Sequence, residues 1–166
     1  MIFPQTAEVM ALVAHDNKEP EKDMKAGTGS EETRQASRLE EPITFNRGLP
    51  GLGESRRFTL HVIEDNPLFY YLQSIEEQDV GLILVDPFPC FPDYSLEISD
   101  QDKKELQLDQ VEDVLVFTTV TLLGESKMTT NLAAPVVVNT RSRLAKQLIL
   151  PERVEEMRVP LPVNEE

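Results

Sequence analysis

KMTTNLAAPVVVN, residues Lys127–Asn139, joins a polar head that contains a methionine to a run of three valines. A structural strand needs only apolar residues that alternate with polar ones, so general strand chemistry does not require this mixture. Thr129, Thr130 and Asn131 stand directly before a segment that has the composition of a buried strand. We therefore expect these three polar side chains to be used, either by the fold or by a binding surface.

Short strands dominate the chain on both sides of this stretch. Arg57–Ile63 alternates apolar with polar residues, as a half-buried strand does, whereas Val80–Val85 is a continuous apolar run typical of a fully buried strand. The loop Asp86–Asp93 contains three prolines, which exclude ladder pairing. Ser99 is a suitable N-cap for a short helix over Asp100–Leu108. Further strands are predicted at Ile43–Phe45, Pro67–Gln73, Val114–Leu122, Ala134–Asn139, Leu144–Leu150 and Val154–Pro160.

The composition divides the chain into three parts. Residues 1–41 are predicted to form an N-terminal arm, in which His15–Glu41 is rich in Glu, Lys, Gly, Ser and Thr and lacks apolar periodicity, as a flexible linker or a disordered segment does. Ile2–Ala14 is either a short strand or helix that docks back on the domain or an artefact of the choice of start site. Residues 42–160 hold the predicted strands and helix, and residues 161–166 form an acidic C-terminal tail. Many short strands with a single helix predict an all-β sandwich or barrel for the central part.

The charge and the cysteine content limit the partners and the compartment. With 30 acidic and 16 basic residues, the net charge is −14, which repels phosphate backbones and argues against direct nucleic-acid binding. The same charge favours encounter with a basic protein, although it also serves simple solubility. The lone Cys90 cannot form an internal disulfide, and no segment is apolar enough to span a membrane. We expect a cytoplasmic protein.

The sequence gives little support for an enzymatic or a metal-binding function. A pairing of Cys90 with His15 or His61 is possible in principle, but a structural cysteine in a proline-bounded loop accounts better for this residue. Asp86 and Asp93 flank a segment that offers mostly carbonyl oxygens, so turn and capping roles are favoured over cation binding. No catalytic residue, metal site or cofactor is predicted.

The remaining signal is a protein-binding surface. In the sequence Phe69-Tyr70-Tyr71, strand alternation places Tyr70 on the face opposite its two neighbours, where it serves either as a partner anchor or as a core residue. The aromatic residues after Pro87 carry the same two alternatives, and Asn131 is either a partner contact or a backbone cap. The candidate partner-binding residues are Tyr70, Phe88, Phe91, Asp93, Tyr94, Lys127, Met128, Asn131 and Leu132.

Ordered motifs give the chain a family resemblance between Pro42 and Pro160. They are ITF at Ile43–Phe45, GLPGLGESRRFTL at Gly48–Leu60, then PLFYYLQSIEE, LILVDPF and FPDY within Pro67–Tyr94, and finally KMTTNLAAPVVVN. Together they resemble the flagellar assembly factor FliW. The resemblance implies an all-β fold, a compact and distorted antiparallel β-barrel with one short helix. The chain departs from the family pattern before ITF, where an N-terminal β-hairpin is expected.

The resemblance also implies a function. FliW-like proteins bind flagellin and the RNA-binding translational repressor CsrA, and their antagonism of CsrA is non-competitive and relieves repression of flagellin mRNA. By this resemblance the protein is a regulator and no enzyme, and it is a monomer when free. We expect an amphipathic flagellin helix to bind in a groove lined by Tyr70, Phe91, Met128 and Leu132. The alternative is a generic acidic chaperone or adaptor for another secreted helical protein.

Overall fold

The computed structural model describes residues 2–3 and 41–162. Within these residues the strands and two short α-helices follow one another as β1 Ile2–Phe3, β2 Ile43–Phe45, β3 Arg57–Val62, β4 Phe69–Ser74, β5 Gly81–Val85, α1 Pro87–Cys90, β6 Leu96–Glu97, α2 Asp100–Glu105, β7 Val114–Leu123, β8 Lys127–Thr130, β9 Val136–Asn139, β10 Leu144–Gln147 and β11 Val159–Pro160. Two 3₁₀ turns occupy Val111–Asp113 and Pro151–Glu156.

Seven strands close into a barrel in the order β7-β5-β4-β3-β2-β10-β9, and β9 returns to β7. The ring closes on β7, whose ten residues are enough to pair with β5, β8 and β9 along its length. Six of the seven contacts in the ring are antiparallel, and the pairing of β10 with β2 is parallel. The predicted all-β barrel is therefore confirmed, with this one parallel pair as an exception.

The stretch Lys127–Asn139 forms β8 and β9, which both pair antiparallel with β7. Val120 faces Thr130 and Phe117 faces Val136, so three steps along β7 correspond to six along the opposing chain. The segment Asn131–Pro135 is the resulting bulge. Strand β8 was absent from the sequence-based prediction because its residues KMTT offer no clear apolar alternation.

Pairing with β7 also accounts for the polar residues at the head of this stretch. Thr130 is fully buried, and its Oγ1 lies 2.6 Å from Thr118 Oγ1 and 2.9 Å from the Thr119 carbonyl oxygen. The buried hydroxyls satisfy one another at the strand junction, as buried polar groups must. Thr130 and Thr118 therefore have a structural role at this junction.

Strand alternation sorts the apolar residues into two cores. Leu115 and Phe117 of β7 point into the barrel, whereas Val114 and Val116 point to the other side. The barrel core draws residues from all seven strands, among them Ile43, Phe45, Phe58, Leu60, Tyr70, Leu72, Leu84, Val136, Val138 and Ala145. The outer core packs α1, β6 and the region after α2 against the barrel wall through Phe88, Tyr94, Leu96, Ile98, Leu106, Leu108, Leu132, Val137 and Leu148.

The helices differ from the prediction. The helix expected at Asp100–Leu108 ends at Glu105, and Ser99 caps it by accepting a hydrogen bond from the Asp102 N–H. Lys146 of β10 holds α2 against the barrel through Asp102 and Glu105. The prediction of one helix was incomplete, because the proline-rich loop contains α1. Pro87 stands in the first turn of α1, a position that tolerates proline because no intrahelical N–H is needed there.

The C-terminal prediction needs two corrections. The strand expected over Val154–Pro160 is a 3₁₀ turn at Pro151–Glu156 followed by the two-residue β11. Leu161, placed in the acidic tail by composition, is buried against Phe69 and belongs to the domain. The predicted arm, apart from Ile2–Phe3 and Glu41, and residues 163–166 lie outside the described residues. No helix among the described residues is long and apolar enough to cross a membrane.

Candidate functional site

Two of the predicted binding residues lie in the protein interior. Tyr70 is 8% exposed, faces the barrel core, and packs against Phe117 with ring centroids 4.8 Å apart. The alternation in the aromatic strand was predicted correctly, but the face that carries Tyr70 is the interior one, so its role as an exposed anchor was wrong. Phe88 is 2% exposed and packs beside Tyr94 in the outer core.

Four other predicted residues meet at one cleft, which we call the α1 cleft. Phe91, Asp93 and Tyr94 follow α1, and Leu132 comes from the bulge between β8 and β9. The cleft has a volume of about 420 Å³, within the range of pockets that hold small ligands or side chains of a partner. Its lining residues are Cys90, Phe91, Pro92, Asp93, Tyr94, Leu132, Arg153 and Glu156.

Local backbone chemistry shapes the α1 side of the cleft. Asp86 accepts a hydrogen bond from the Phe88 N–H and so caps α1. The Phe91 N–H donates to the Pro87 carbonyl oxygen and ends the helix, and the Tyr94 N–H donates to the Phe91 carbonyl oxygen in the turn that follows. This compact helix–turn segment carries half-buried Phe91 and exposed Asp93 at the cleft mouth.

Tyr94 forms the floor of the cleft. Its hydroxyl donates to the Leu132 carbonyl oxygen over 3.0 Å, which ties the α1 segment to the bulge. Burial raises the pKa of the Tyr94 phenol above its ordinary value, although the positive charge of Arg153 acts in the opposite direction. The phenol therefore stays neutral and has a structural role as a hydrogen-bond donor.

Arg153 closes the other side of the cleft. Its guanidinium carbon lies 4.8 Å from the centroid of the Tyr94 ring, and Nη1 lies 2.8 Å from Glu156 Oε2. Nη2 also donates to the Ser95 carbonyl oxygen. The cation is thus engaged by groups of its own chain, and Asp93 and Glu156 are the carboxylates that line the cleft.

Comparisons with known proteins agree on one family. The profile of the family described as FliW protein matches residues 28–161. The flagellar assembly factor FliW of Clostridium tetani is 37% identical over 125 residues, which cover 75% of this chain and 85% of the relative. The FliW of Clostridium novyi is 38% identical over 123 residues, 74% of this chain and 86% of the relative.

The chain belongs to the FliW family. A solved structure, the crystal structure of the flagellar assembly factor FliW, superposes with a TM-score of 0.64 at 31% identity. The matched region covers 74% of this chain and 87% of that one. The resemblance drawn from the ordered motifs is confirmed, and the profile extends it on the N-terminal side from Pro42 to residue 28.

The expected FliW groove of four residues does not form as predicted. Met128 and Phe91 are both half-buried and pack on a small cluster with Phe69 and Leu161. Leu132 belongs to the outer core, whereas Tyr70 lies on the other side of the barrel wall. The sequence could not show which face of β4 turns inward, because both faces of that strand carry aromatic residues.

Lys127 and Asn131, the remaining two candidates, do not line the α1 cleft. Lys127 is exposed at the start of β8, opposite Leu123. Asn131 Oδ1 accepts a hydrogen bond from the Ala133 N–H over 3.0 Å, which is the backbone-capping role held open by the sequence. This observation gives Asn131 a part in shaping the bulge that carries Leu132.

Sequence reasoning missed Arg153 and Glu156. Glu156 lies in the segment Val154–Pro160 that was predicted as a strand, and Arg153 directly precedes it. The signal for a helical turn instead was Pro151, which favours the start of such a turn. Contact of Arg153 with Tyr94 joins segments 59 positions apart and has no local signature. Such cation–ring pairs are visible only in the folded chain.

Asp86, the N-cap of α1, is a buried carboxyl of this FliW-family domain. It is 2% exposed, and burial raises its pKa to about 6, although the hydrogen bond from the Phe88 N–H favours the charged form. Burial and the nearby Asp86 charge raise the pKa of the Cys90 thiol. The described residues contain no group of three or more His, Cys, Asp or Glu side chains that could hold a metal ion.

Proposed function

We propose that this protein is a flagellar assembly regulator that binds flagellin and antagonises CsrA. When flagellin is exported, the freed protein binds CsrA away from the RNA site and relieves repression of flagellin mRNA in the cytoplasm. The observation that carries the proposal is membership of the FliW family across 85% of the length of a named flagellar assembly factor. The protein acts by binding, as a monomer when free.

The charge of the chain supports CsrA as a partner. A net charge of −14 favours encounter with a basic RNA-binding protein and disfavours any direct approach to RNA. Once bound, the acidic body weakens RNA affinity either through its field or through a shift in CsrA conformation. A coupling of about 1–3 kcal/mol is enough, since it corresponds to a change in affinity of roughly 5- to 150-fold.

The α1 cleft supports flagellin as a partner. Its floor offers the apolar surfaces of Phe91, Tyr94 and Leu132 to a side chain of an amphipathic helix. Val154 and Met157, on or directly after the 3₁₀ turn that carries Arg153, are 61% and 52% exposed and extend the apolar surface beside it. Exposed apolar groups rimmed by carboxylates are typical of protein-binding sites.

Phe91→Ala is expected to weaken flagellin binding roughly tenfold, because truncation of a central aromatic anchor commonly costs more than 1 kcal/mol of binding free energy. The measurement is titration calorimetry of the purified protein against flagellin and, separately, against CsrA. The matched control is Val62→Ala, which removes an exposed apolar side chain of β3 that does not line the cleft. Thermal unfolding of both variants reports any loss of structure.

The outcomes separate the parts of the proposal. Binding of the unaltered protein to both partners, with flagellin binding reduced by Phe91→Ala and unchanged by Val62→Ala, supports the regulator and the cleft. Equal loss in both variants contradicts the cleft as the flagellin site. Binding to flagellin alone supports the chaperone alternative, and binding to neither partner contradicts the proposed function.

A further inference from the structure

The segment from Asp93 to Ile98 has the side-chain pattern of an edge strand. Tyr94, Leu96 and Ile98 are buried in the outer core, and the residues between them are exposed. This period of two is that of an extended chain with one face on a core. The segment packs on the outer core through Tyr94, Leu96 and Ile98.

Strand β6 within this segment does not belong to the barrel sheet. Among residues 2–3 and 41–162, its strand partner is β1, with Ile2 opposite Glu97 and Phe3 opposite Leu96 in antiparallel register. An edge strand presents unpaired N–H and C=O groups that accept another strand. The sequence places 39 residues between Phe3 and Ile43, so this pairing joins the N-terminal residues of the chain to a distant edge.

We propose that the edge of β6 is a strand-addition site whose resident occupant is the N-terminal strand of the same chain. Strand addition supplies affinity through main-chain hydrogen bonds, and a tether within one chain raises the effective concentration of the occupant. A ladder of two residues adds few bonds, so the occupant is displaceable by another extended peptide. This proposal does not depend on whether the protein binds flagellin or CsrA.

Two features restrict the ladder to its two residues. Pro4, which follows Phe3 in the sequence, carries no backbone N–H and cannot donate to a ladder. Directly before β6, the carbonyl oxygen of Ser95 already accepts a hydrogen bond from Arg153 Nη2 over 3.3 Å. Tyr94, which lines the α1 cleft, lies two residues before Leu96, so β6 begins close in sequence to the cleft.

The first test measures amide hydrogen exchange by NMR in the full chain. Replacing Ile2→Pro and Phe3→Pro together removes both N–H groups of β1. We expect exchange at Leu96, Glu97 or both to become at least about threefold faster, which is the size expected for loss of a weak tethered ligand. The control pair Asn17→Pro and Glu19→Pro lies outside β1 and should leave these rates unchanged.

The second test uses a labelled synthetic peptide with the sequence of residues 1–14 and a scrambled peptide of equal composition. We expect the peptide to shift the Leu96 and Glu97 resonances of the double-proline variant and to bind it at least about threefold more tightly than the unaltered chain, where β1 competes. Equal exchange rates in all variants, or equal peptide binding to the variant and the unaltered chain, would overturn the proposal.

Discussion

Tyr70→Ala is expected to lower the free energy of unfolding by about 3–5 kcal/mol, the cost typical of truncating a large buried aromatic residue. The ring lies in the barrel core and contacts Phe117, which is 2% exposed. Removing it leaves a cavity at the centre of the ring of strands, where β7 closes the barrel. For a domain of this size the loss corresponds to a fall in melting temperature of roughly 10–20 °C.

Chemical denaturation and thermal unfolding measure this effect, and Tyr70→Phe is the matched control. The phenylalanine variant keeps the ring and its contact with Phe117, so its loss of stability should be less than half that of the alanine variant. If Tyr70→Ala instead keeps full stability and loses a partner, the side chain is a surface anchor after all, and the placement of β4 in the barrel is wrong.

Asp86→Asn is expected to raise the free energy of unfolding by about 1–3 kcal/mol at pH 7, since each unit of pKa shift corresponds to 1.36 kcal/mol. The carboxyl is buried, and burial raises its pKa from 3.8 to about 6. Between these values the folded state binds more protons than the unfolded state. The Asp86 contribution to stability therefore falls as the pH rises from about 4 to 6 and remains unfavourable above that range.

Asparagine keeps an oxygen that accepts the Phe88 N–H and carries no charge, so the gain should be full at pH 7 and nearly absent at pH 4. Urea denaturation of both proteins at several pH values measures the difference. Asp65→Asn, at an exposed aspartate, is the control for the same change of side chain away from the protein interior. A constant difference between Asp86→Asn and the unaltered protein across pH would contradict the buried-carboxyl interpretation.

Much of the barrel was predictable because its strands carry local signals. The alternation in β3 and the apolar run of β5 identified both strands to within one residue. The break between β8 and β9 was not predictable, since it depends on pairing with β7 through Thr130 and the bulge. Short 3₁₀ turns and the four-residue α1 have no periodicity long enough to recognise.

The candidate site was predicted in part for a similar reason. Phe91, Asp93 and Tyr94 lie next to one another in the sequence, and their proline-rich context marked an unusual loop. Leu132 and Arg153 are distant in the sequence and join them in the folded chain, Leu132 through the hydroxyl of Tyr94 and Arg153 through the contact of its guanidinium group with the Tyr94 ring. Tyr70 was misplaced because a strand with aromatic residues on both faces does not show which face meets the core.

The proposed non-competitive antagonism of CsrA has a direct electrostatic test. If the acidic field of this chain weakens RNA binding, the effect should decrease as salt rises, because the Debye length shortens from about 10 Å at 0.1 M to about 3 Å at 1 M ionic strength. If the effect is unchanged by salt, the coupling is conformational and the field plays no part. Either outcome is compatible with binding away from the RNA site.

The most direct measurement of the proposed function is the affinity of CsrA for a flagellin-leader RNA, followed by fluorescence anisotropy, alone, with this protein, and with this protein plus flagellin. The proposed function predicts that the protein weakens the affinity of CsrA for RNA at least about fivefold, the lower end of typical allosteric coupling. It also predicts that added flagellin restores this affinity. RNA affinity that is the same under all three conditions would contradict a role as a CsrA antagonist.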